Sequence, residues 1–194
     1  MTSITIVIGY LLGSIPFALL LTRRQGIELR NVGSRNPGAA NVLRSAGIGP
    51  AVAVMLLDAG KGTAAVAAAR LMSDDVVVVT SAGLAAIVGH IYPVWCGFRG
   101  GKGVAASAGV FALLAPLATA IAVLVFVGTI AATRFISAGS IAGALALPVA
   151  AAVGNQPNPV VAGALLAAAI VLFRHRDNVS RLVAGTERRI GSRL

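Results

Sequence analysis

Long apolar runs without a charged side chain alternate along this chain with short basic segments, and this alternation restricts the possible folds more than any other feature. One such run, 104–133, has thirty residues without a charge. A helix needs about 20 apolar residues to cross a bilayer. Hydrophobic residues make up 57% of the 194 and charged residues only 11%, whereas an ordinary soluble domain has about 25% charged residues. The sequence therefore predicts an all-α, polytopic integral membrane helical bundle, formed as one domain over residues 1–194.

Six apolar runs are candidate membrane spans, and one of them could form either one helix or two. They cover 3–22, 49–70, 76–96, 104–133, 136–153 and 158–173. Pro116 lies near the middle of the fourth run, and a proline inside a helix removes a backbone hydrogen bond and tends to break it. One long tilted helix there gives six crossings, and two short helices give seven.

The distribution of basic residues favours seven crossings. Fourteen of the sixteen Lys and Arg residues lie in polar breaks: Arg23, Arg24, Arg30, Arg35, Arg44, Arg99, Lys102, Arg134, Arg174, Arg176, Arg181, Arg188, Arg189 and Arg193. Cytoplasmic segments of membrane proteins are enriched in Lys and Arg. Seven crossings place all fourteen on one face, with the N-terminus outside and the C-terminus in the cytoplasm. Six crossings would send the basic tail to the opposite face, so we predict seven transmembrane helices.

The remaining composition excludes several classes of function. The net charge of +10 could indicate a nucleic-acid partner, but a soluble nucleic-acid binder is not this apolar, so we expect none. The single cysteine, Cys96, excludes an internal disulfide. The spacing of Cys and His does not resemble a metal site, and the sequence predicts neither metal nor cofactor.

Two glycine-containing loops have the composition of phosphate-binding segments. The first, 33–44, combines glycines, Ser34 and Asn41 with the planar, permanently charged fork of Arg44. The second, 97–103, places Gly100, Gly101 and Gly103 around Lys102, just before an apolar run. Such a loop could cradle phosphate at a helix N-terminus or could simply form a tight turn. It is not a Walker A loop, because three residues rather than four separate Gly97 from the Gly-Lys pair.

Two further polar groups leave their roles open. In the basic tail, His175 could act as a base or donate a hydrogen bond to phosphate, or the tail could simply contact anionic lipid head groups. Within an apolar run, Asp58 and Lys61 share a helix face at spacing i, i+3. Charges inside membrane spans are costly, so this pair is either a functional group or a structural ion pair.

Taken together, these segments resemble the bacterial membrane acyl-phosphate:glycerol-3-phosphate acyltransferases. The resemblance covers nearly the whole chain and is carried by 13–17, 33–44, 57–62, 89–104, 134–140 and 175–187. Arg35, Pro37, Ala40, Ala106 and Asp177 depart from the pattern expected in that family. Of these, Ala40 and Ala106 each remove a hydroxyl donor.

The resemblance implies an enzyme that acylates glycerol 3-phosphate from acyl phosphate, near the cytoplasmic face of the bacterial inner membrane and in contact with its lipid. By position it assigns catalysis to Ser34, Lys102, His175 and Asn178. It assigns substrate and phosphate binding to Arg44, Asn41, Gly100, Gly101, Gly103, Ser137 and Glu187. It does not specify the oligomeric state, the preferred acyl chain, or whether His175 or the substrate phosphate is the base.

Three alternatives stay open from the sequence. A small-anion transporter would also need basic sites, although the polar segments gather on the predicted cytoplasmic side and no inverted repeat is evident. A lipid-head-group binder would account for the tail but not for the glycine-lysine loop. The third alternative is the same acyl transfer with a thioester donor.

Overall fold

The computed structural model describes residues 2–191 and is helical, with no strand among these residues. The tail residue Arg193 lies outside the described residues. The chain divides into two compact units, the first ending at Leu113 and the second beginning at Leu114. The assignment of 1–194 to one domain stays a prediction.

The first unit consists of helices whose backbones approach one another closely. Its elements are α1 (Thr2–Gly13), α2 (Phe17–Arg23), α3 (Ala39–Ala46), α4 (Ile48–Met72), α5 (Val76–Ile91), a 3-10 helix (Val94–Cys96) and α6 (Val104–Leu114), which ends at the unit boundary. Helix α1 packs against α4 and α5, and α3 packs against α4. A Cβ at Gly62 on α4 would lie 2.5 Å from the Ala106 carbonyl oxygen of α6. Small residues thus bring these helix backbones together, as is typical in membranes.

A break interrupts the first apolar run between α1 and α2. The backbone leaves the helical path at Ser14–Pro16, and the two helices together form one apolar segment, Thr2–Arg23, of 22 residues. Pro16 has no N–H and cannot continue the hydrogen-bond ladder of α1. The sequence predicted this span as 3–22 without predicting the break.

The described residues of the second unit form the helices α7 (Pro116–Thr133), α8 (Ile136–Val153), α9 (Asn158–Arg174) and α10 (Arg176–Val183). Helix α8 packs against both α7 and α9, and the short α10 contacts α8 and α9. Arg134 ends α7 with φ +64. The chain then turns directly into α8, so few residues separate the two helices.

The chain is a multi-pass membrane protein by the length and apolarity of its helices. Within residues 2–191, five helical segments are long and apolar enough to cross a membrane, and α9 with α10, bent by 57°, would be a sixth. The run 104–133 forms two helices, α6 and α7, that are separated at Ala115 just before Pro116. The 11-residue α6 is short for a crossing. Seven crossings and the orientation of the termini stay predictions.

Candidate active site

In the first unit, Asn41 organises the loop that carries Ser34. The Asn41 side chain is buried in the first turn of α3, and its Oδ1 accepts a hydrogen bond from the Ser34 backbone N–H at 2.9 Å. Its Nδ2 donates to the carbonyls of Leu29 and Val32 at 3.0 and 3.1 Å. Gly33 has φ +59, and a Cβ there would overlap Asn41 Oδ1. The Asn41 amide therefore fixes the loop, while Ser34 itself is exposed.

A second contact ties this loop to the glycine-rich loop. Nη2 of Arg30 donates to the Cys96 carbonyl at 2.9 Å and to the Arg99 carbonyl at 3.3 Å. No sequence signal distinguished Arg30 from the other basic residues of its loop. Arg44, the candidate phosphate ligand, lies half-buried in the last turn of α3.

The glycine-rich loop uses two of its amides to close the end of α5. The Gly100 N–H donates to the Ile91 carbonyl at 2.9 Å, and the Gly101 N–H donates to the His90 carbonyl at 3.1 Å. These carbonyls belong to the last turn of α5, where a helix leaves acceptors without intrahelical donors. The expectation that the backbone amides of 100–103 together face phosphate therefore needs correction at Gly100 and Gly101, whose amides hold the loop against α5.

The glycines themselves are required by this close contact. A Cβ at Gly101 would overlap Nε2 of the His90 ring, and a Cβ at Gly100 would lie 2.5 Å from Cδ of Pro93. Gly103 has φ +90, a conformation that other residues rarely adopt, immediately before α6. Lys102 lies half-buried between these glycines.

Beneath this loop is a buried ionic group that the sequence indicated only in part. Nζ of Lys61 lies 2.8 Å from Oδ1 of Asp58, and Nδ1 of His90 lies 3.5 Å from the same oxygen. All three side chains are buried. The i, i+3 spacing predicted the pairing of Asp58 with Lys61, but the contact with His90 joins two different helices and has no sequence signal.

In the second unit, the carboxylate of Glu187 accepts hydrogen bonds from three side chains. Its Oε1 accepts hydrogen bonds from Oγ of Ser137 at 2.8 Å and from Nδ2 of Asn178 at 2.7 Å. Its Oε2 accepts from Nε of Arg181 at 2.7 Å. The structure thus brings together Ser137, Asn178 and Glu187, three of the residues predicted for the site, and adds Arg181.

The surroundings of Glu187 favour its ionised form. Burial by itself would raise the pKa of this carboxyl. Hydrogen bonds from Asn178, Ser137 and Arg181, together with the positive charge of Arg181, outweigh burial and lower the pKa below its ordinary value of 4.5. Glu187 is therefore a charged hydrogen-bond acceptor at neutral pH, and it fixes the orientation of the Asn178 amide.

His175 is held at the junction of α9 and α10 in one tautomer. Its Nδ1 lies 2.8 Å from the Val171 carbonyl, one turn earlier on α9, and its side chain is buried. A carbonyl oxygen can only accept a hydrogen bond, so Nδ1 carries a proton. In the neutral ring, Nε2 is therefore the basic nitrogen.

The tail after α10 is fastened to the turn between α7 and α8. The Ile190 N–H donates to the Arg134 carbonyl at 2.8 Å, and Nη2 of Arg134 donates to the Ile190 carbonyl at 3.0 Å. The guanidinium of Arg189 lies 5.2 Å from the centre of the Phe135 ring. These contacts place Glu187 beside the N-terminal turn of α8, where Ser137 lies. Among residues 2–191, no group of three His, Cys, Asp or Glu side chains could hold a metal ion.

Comparison with known proteins identifies the family. The family model described as glycerol-3-phosphate acyltransferase matches residues 3–185. The chain belongs to the glycerol-3-phosphate acyltransferase family. The glycerol-3-phosphate acyltransferase of Myxococcus xanthus (strain DK1622) is 47% identical over 192 residues, which cover 97% of this chain and 100% of that protein. The glycerol-3-phosphate acyltransferase of Synechococcus sp. (strain CC9902) is 46% identical over 188 residues, covering 96% and 94% of the two chains.

Solved structures within the glycerol-3-phosphate acyltransferases are similar over nearly their full length. The crystal structure of PlsY (YgiH), an integral membrane glycerol 3-phosphate acyltransferase, in its glycerol 3-phosphate form has a TM-score of 0.93 and 38% identity. That similarity covers 98% of this chain and 96% of PlsY. The lysophosphatidic acid form of PlsY has a TM-score of 0.91 and 36% identity, with 98% and 95% covered.

Proposed function

We propose that this protein transfers a fatty acyl group from acyl phosphate to glycerol 3-phosphate, giving 1-acyl-glycerol 3-phosphate (lysophosphatidic acid) and phosphate. In the cell this would be the first step of phospholipid synthesis. The observation that carries the proposal is the likeness, over 98% of the chain, to PlsY in its glycerol 3-phosphate and lysophosphatidic acid forms. In the proposed reaction these two molecules are the acceptor and the product.

The proposed step is one acyl transfer without a covalent enzyme intermediate. A hydroxyl oxygen of glycerol 3-phosphate attacks the carbonyl carbon of acyl phosphate and forms the ester C–O bond. The bond from that carbon to the phosphate oxygen breaks, and phosphate leaves with the electron pair. The hydroxyl proton passes to Nε2 of His175 or to a phosphate oxygen of the substrate. Because the donor is already activated, positioning contributes much of the rate, on the order of 7–11 kcal/mol in favourable cases.

Residues of the first unit would recognise the phosphate groups of the substrates. The planar fork of Arg44 suits a bidentate contact with phosphate, and Lys102 supplies a point charge. The hydroxyl group of Ser34 would donate a hydrogen bond to phosphate. The backbone of Ser34 is held in place because its N–H donates to Oδ1 of Asn41 at 2.9 Å. Because the amides of Gly100 and Gly101 donate to α5, we assign charge recognition in this loop mainly to the Lys102 side chain.

Residues of the second unit would handle the reacting hydroxyl. The Nδ1 contact with the Val171 carbonyl leaves Nε2 of His175 as the ring nitrogen that could accept a proton, which supports this role. Asn178 would orient a substrate oxygen through its side-chain amide. Nδ2 of that amide donates to Oε1 of Glu187 at 2.7 Å, which fixes its orientation. In this proposal Ser137 and Glu187 act through Asn178, as positioning residues.

The choice of acyl phosphate as donor rests on the family resemblance, and the side chains of the chain are consistent with it. Acyltransferases that use thioesters commonly activate a hydroxyl with a His and an Asp separated by four residues. Here the residue five after His90 is Trp95, and the residue five after His175 is Ser180. The lone thiol, Cys96, lies among apolar residues without a paired base in the sequence. An activated anhydride donor needs less help from such groups than a thioester does.

We further propose that the protein crosses the bacterial inner membrane seven times, with the active site facing the cytoplasm. The support is the gathering of basic residues in alternate polar breaks. Single cysteines placed at exposed Asp74 and Ser180, in a variant with Cys96→Ser, test this topology. An impermeant maleimide added to intact cells should label residue 74 and should label residue 180 only after the membrane is opened. Labelling of both in intact cells would refute the assignment.

The decisive experiment supplies purified protein with labelled glycerol 3-phosphate and either palmitoyl phosphate or palmitoyl-CoA. Lysophosphatidic acid formed from acyl phosphate alone would support the reaction and the donor. Product from the thioester would keep the acyltransferase and overturn the donor. If correctly folded protein gives product from neither donor, the proposed reaction is wrong.

A further inference from the structure

A continuous chain of buried contacts runs from the break in the first apolar run to the glycine-rich loop. It starts at the carbonyl of Ile15, which lies between α1 and α2 and accepts a hydrogen bond from Nζ of Lys61 at 2.8 Å. The same ammonium lies 5.8 Å from the centre of the Phe17 ring. Non-helical backbone at membrane depth needs partners supplied by the protein. Lys61 on α4 supplies one to this break.

The chain continues through Asp58 to α5. Oδ1 of Asp58 lies 2.8 Å from Nζ of Lys61 and 3.5 Å from Nδ1 of His90. The exposed fractions of Asp58, Lys61 and His90 are 3%, 6% and 7%, so solvent screens these contacts little. The Asp58 carboxylate thus links α4, whose Lys61 binds the Ile15 carbonyl, to His90 at the end of α5.

The last link joins His90 to the loop. The His90 carbonyl accepts from the Gly101 N–H at 3.1 Å, and the His90 ring packs against Gly101 so closely that no Cβ would fit. Lys102 follows directly in the sequence. A small cavity of about 20 Å³, about the size of one water molecule, is lined by Asp58, Lys61 and His90 together with Gly100 and Gly101. The glycine-rich loop therefore packs directly against the buried group of Asp58, Lys61 and His90.

We propose that Asp58, Lys61 and His90 are positioning residues for acyl transfer, which set the position of the Gly100–Gly103 loop and thus of the Lys102 ammonium. This inference rests on the proposed function, because the role of Lys102 does. None of the three is proposed to contact substrate. A buried ion pair contributes little to stability compared with apolar residues of the same volume. The placement of a buried pair beneath a candidate phosphate-binding loop is what favours a positioning role.

The test removes both charges together, so that neither is left buried alone. The variant is Asp58→Asn combined with Lys61→Met. Two measurements are made on detergent-purified protein: amide hydrogen exchange of the peptide covering 97–103, and the KM and kcat for glycerol 3-phosphate with palmitoyl phosphate. We expect exchange of that peptide to become at least about ten-fold faster. We expect KM to rise by about 10-fold to 100-fold while kcat changes by less than about 3-fold, since substrate binding is lost rather than chemistry.

The matched control acts on the same helix at its other end. Asp75 caps α5, with Oδ1 accepting from the Val77 N–H at 2.8 Å. Asp75→Ala should lower the melting temperature by about 2–4 °C and leave both the exchange of 97–103 and the KM unchanged. A KM change in this control equal to that in the double variant would show that general loss of stability is responsible, and would overturn the proposal.

A second variant keeps the inference testable if the double variant does not fold. His90→Gln leaves the Asp58–Lys61 pair in place and removes the ring beneath Gly101, so the same faster exchange and higher KM are expected. Parental exchange of 97–103 in a folded variant overturns the proposal, as does faster exchange with parental KM and kcat. If the parent protein itself makes no lysophosphatidic acid, the proposed function fails. The exchange measurement still decides whether these residues hold the loop.

Discussion

The substitution Glu187→Gln tests whether one carboxylate holds the site of the second unit together. The side chain of Glu187 is 4% exposed and accepts three hydrogen bonds, from Ser137, Asn178 and Arg181. A glutamine has the same shape but only one acceptor oxygen, so at least one of these donors loses its partner. A hydrogen bond to a charged group contributes about 1.5–3 kcal/mol. Because the Arg181 side chain is 43% exposed and can be hydrated instead, we expect a loss of about 1–2 kcal/mol.

The assay is thermal unfolding in detergent, followed by the helical circular dichroism signal. For a chain of this size, about 1–2 kcal/mol corresponds to a fall in melting temperature of about 2–8 °C. The matched control is Arg188→Gln, which changes the charge of the adjacent, exposed residue by one. It should shift stability by less than about 0.5 kcal/mol. If Glu187→Gln melts at the parental temperature and has parental activity, the three contacts do not organise the site and the reasoning is refuted.

The effect of Glu187→Gln on stability should depend on pH in a direction that the pKa of Glu187 determines. The pKa of Glu187 lies below its ordinary value of 4.5 in the folded protein, so the unfolded chain takes up the proton first as pH falls. The stabilisation by the carboxylate is therefore fully present above about pH 4.5 and is lost as pH falls through the lower folded pKa. The difference in melting temperature between parent and Glu187→Gln should be constant from about pH 5.5 to 8 and shrink below about pH 4.5. A difference that grows on acidification would contradict this assignment.

Four further substitutions test individual residues. Arg44→Ala and Lys102→Ala should each lower kcat/KM for glycerol 3-phosphate by about 10²-fold to 10³-fold at unchanged helical content; near-parental rates would remove that residue from the proposed site. His175→Asn should lower kcat by about 10²-fold or more. Loss of the acidic limb of the pH–rate profile in this variant would assign the base to the imidazole, and its persistence would assign it to the substrate phosphate. Gly101→Ala places a methyl group against the imidazole beside it and should lower activity at least about ten-fold, whereas Gly60→Ala, with open space around it, should not.

The helical membrane fold could be predicted from the sequence because its signals are local and long. Charge-free runs give the helices directly, and the effect of Pro116 on its own backbone gives the break between α6 and α7. The break before α2 was not predicted. Pro16 gave a local signal there, but the apolar run continues past it. The short helices α3 and α10 lie in polar segments that carry no long apolar run.

The sequence indicated residues for the candidate site but not the contacts between them. Ordered motifs indicated Ser137, Asn178 and Glu187 separately, and the structure shows that the carboxylate binds the other two. No sequence pattern joins Arg30 to the carbonyl of Cys96, or His90 to Asp58, because these contacts depend on which helices pack together. Contacts of this kind are a property of the fold and cannot be obtained from spacing.

The glycine-rich loop shows why composition alone could not decide its role. A phosphate cradle and a tight turn both need unobstructed amides, so the glycines are the same in each case. A phosphate cradle and a tight turn differ in the direction of their N–H groups. In this loop the carbonyls at the end of α5 determine that direction. The last carbonyls of α5 need hydrogen-bond donors, and Pro93 has no N–H to donate. The N–H groups of Gly100 and Gly101 donate to these carbonyls instead. Lys102 is thereby held at a position that α5 defines, so phosphate recognition by this loop should depend on the lysine charge and on the packing beneath it.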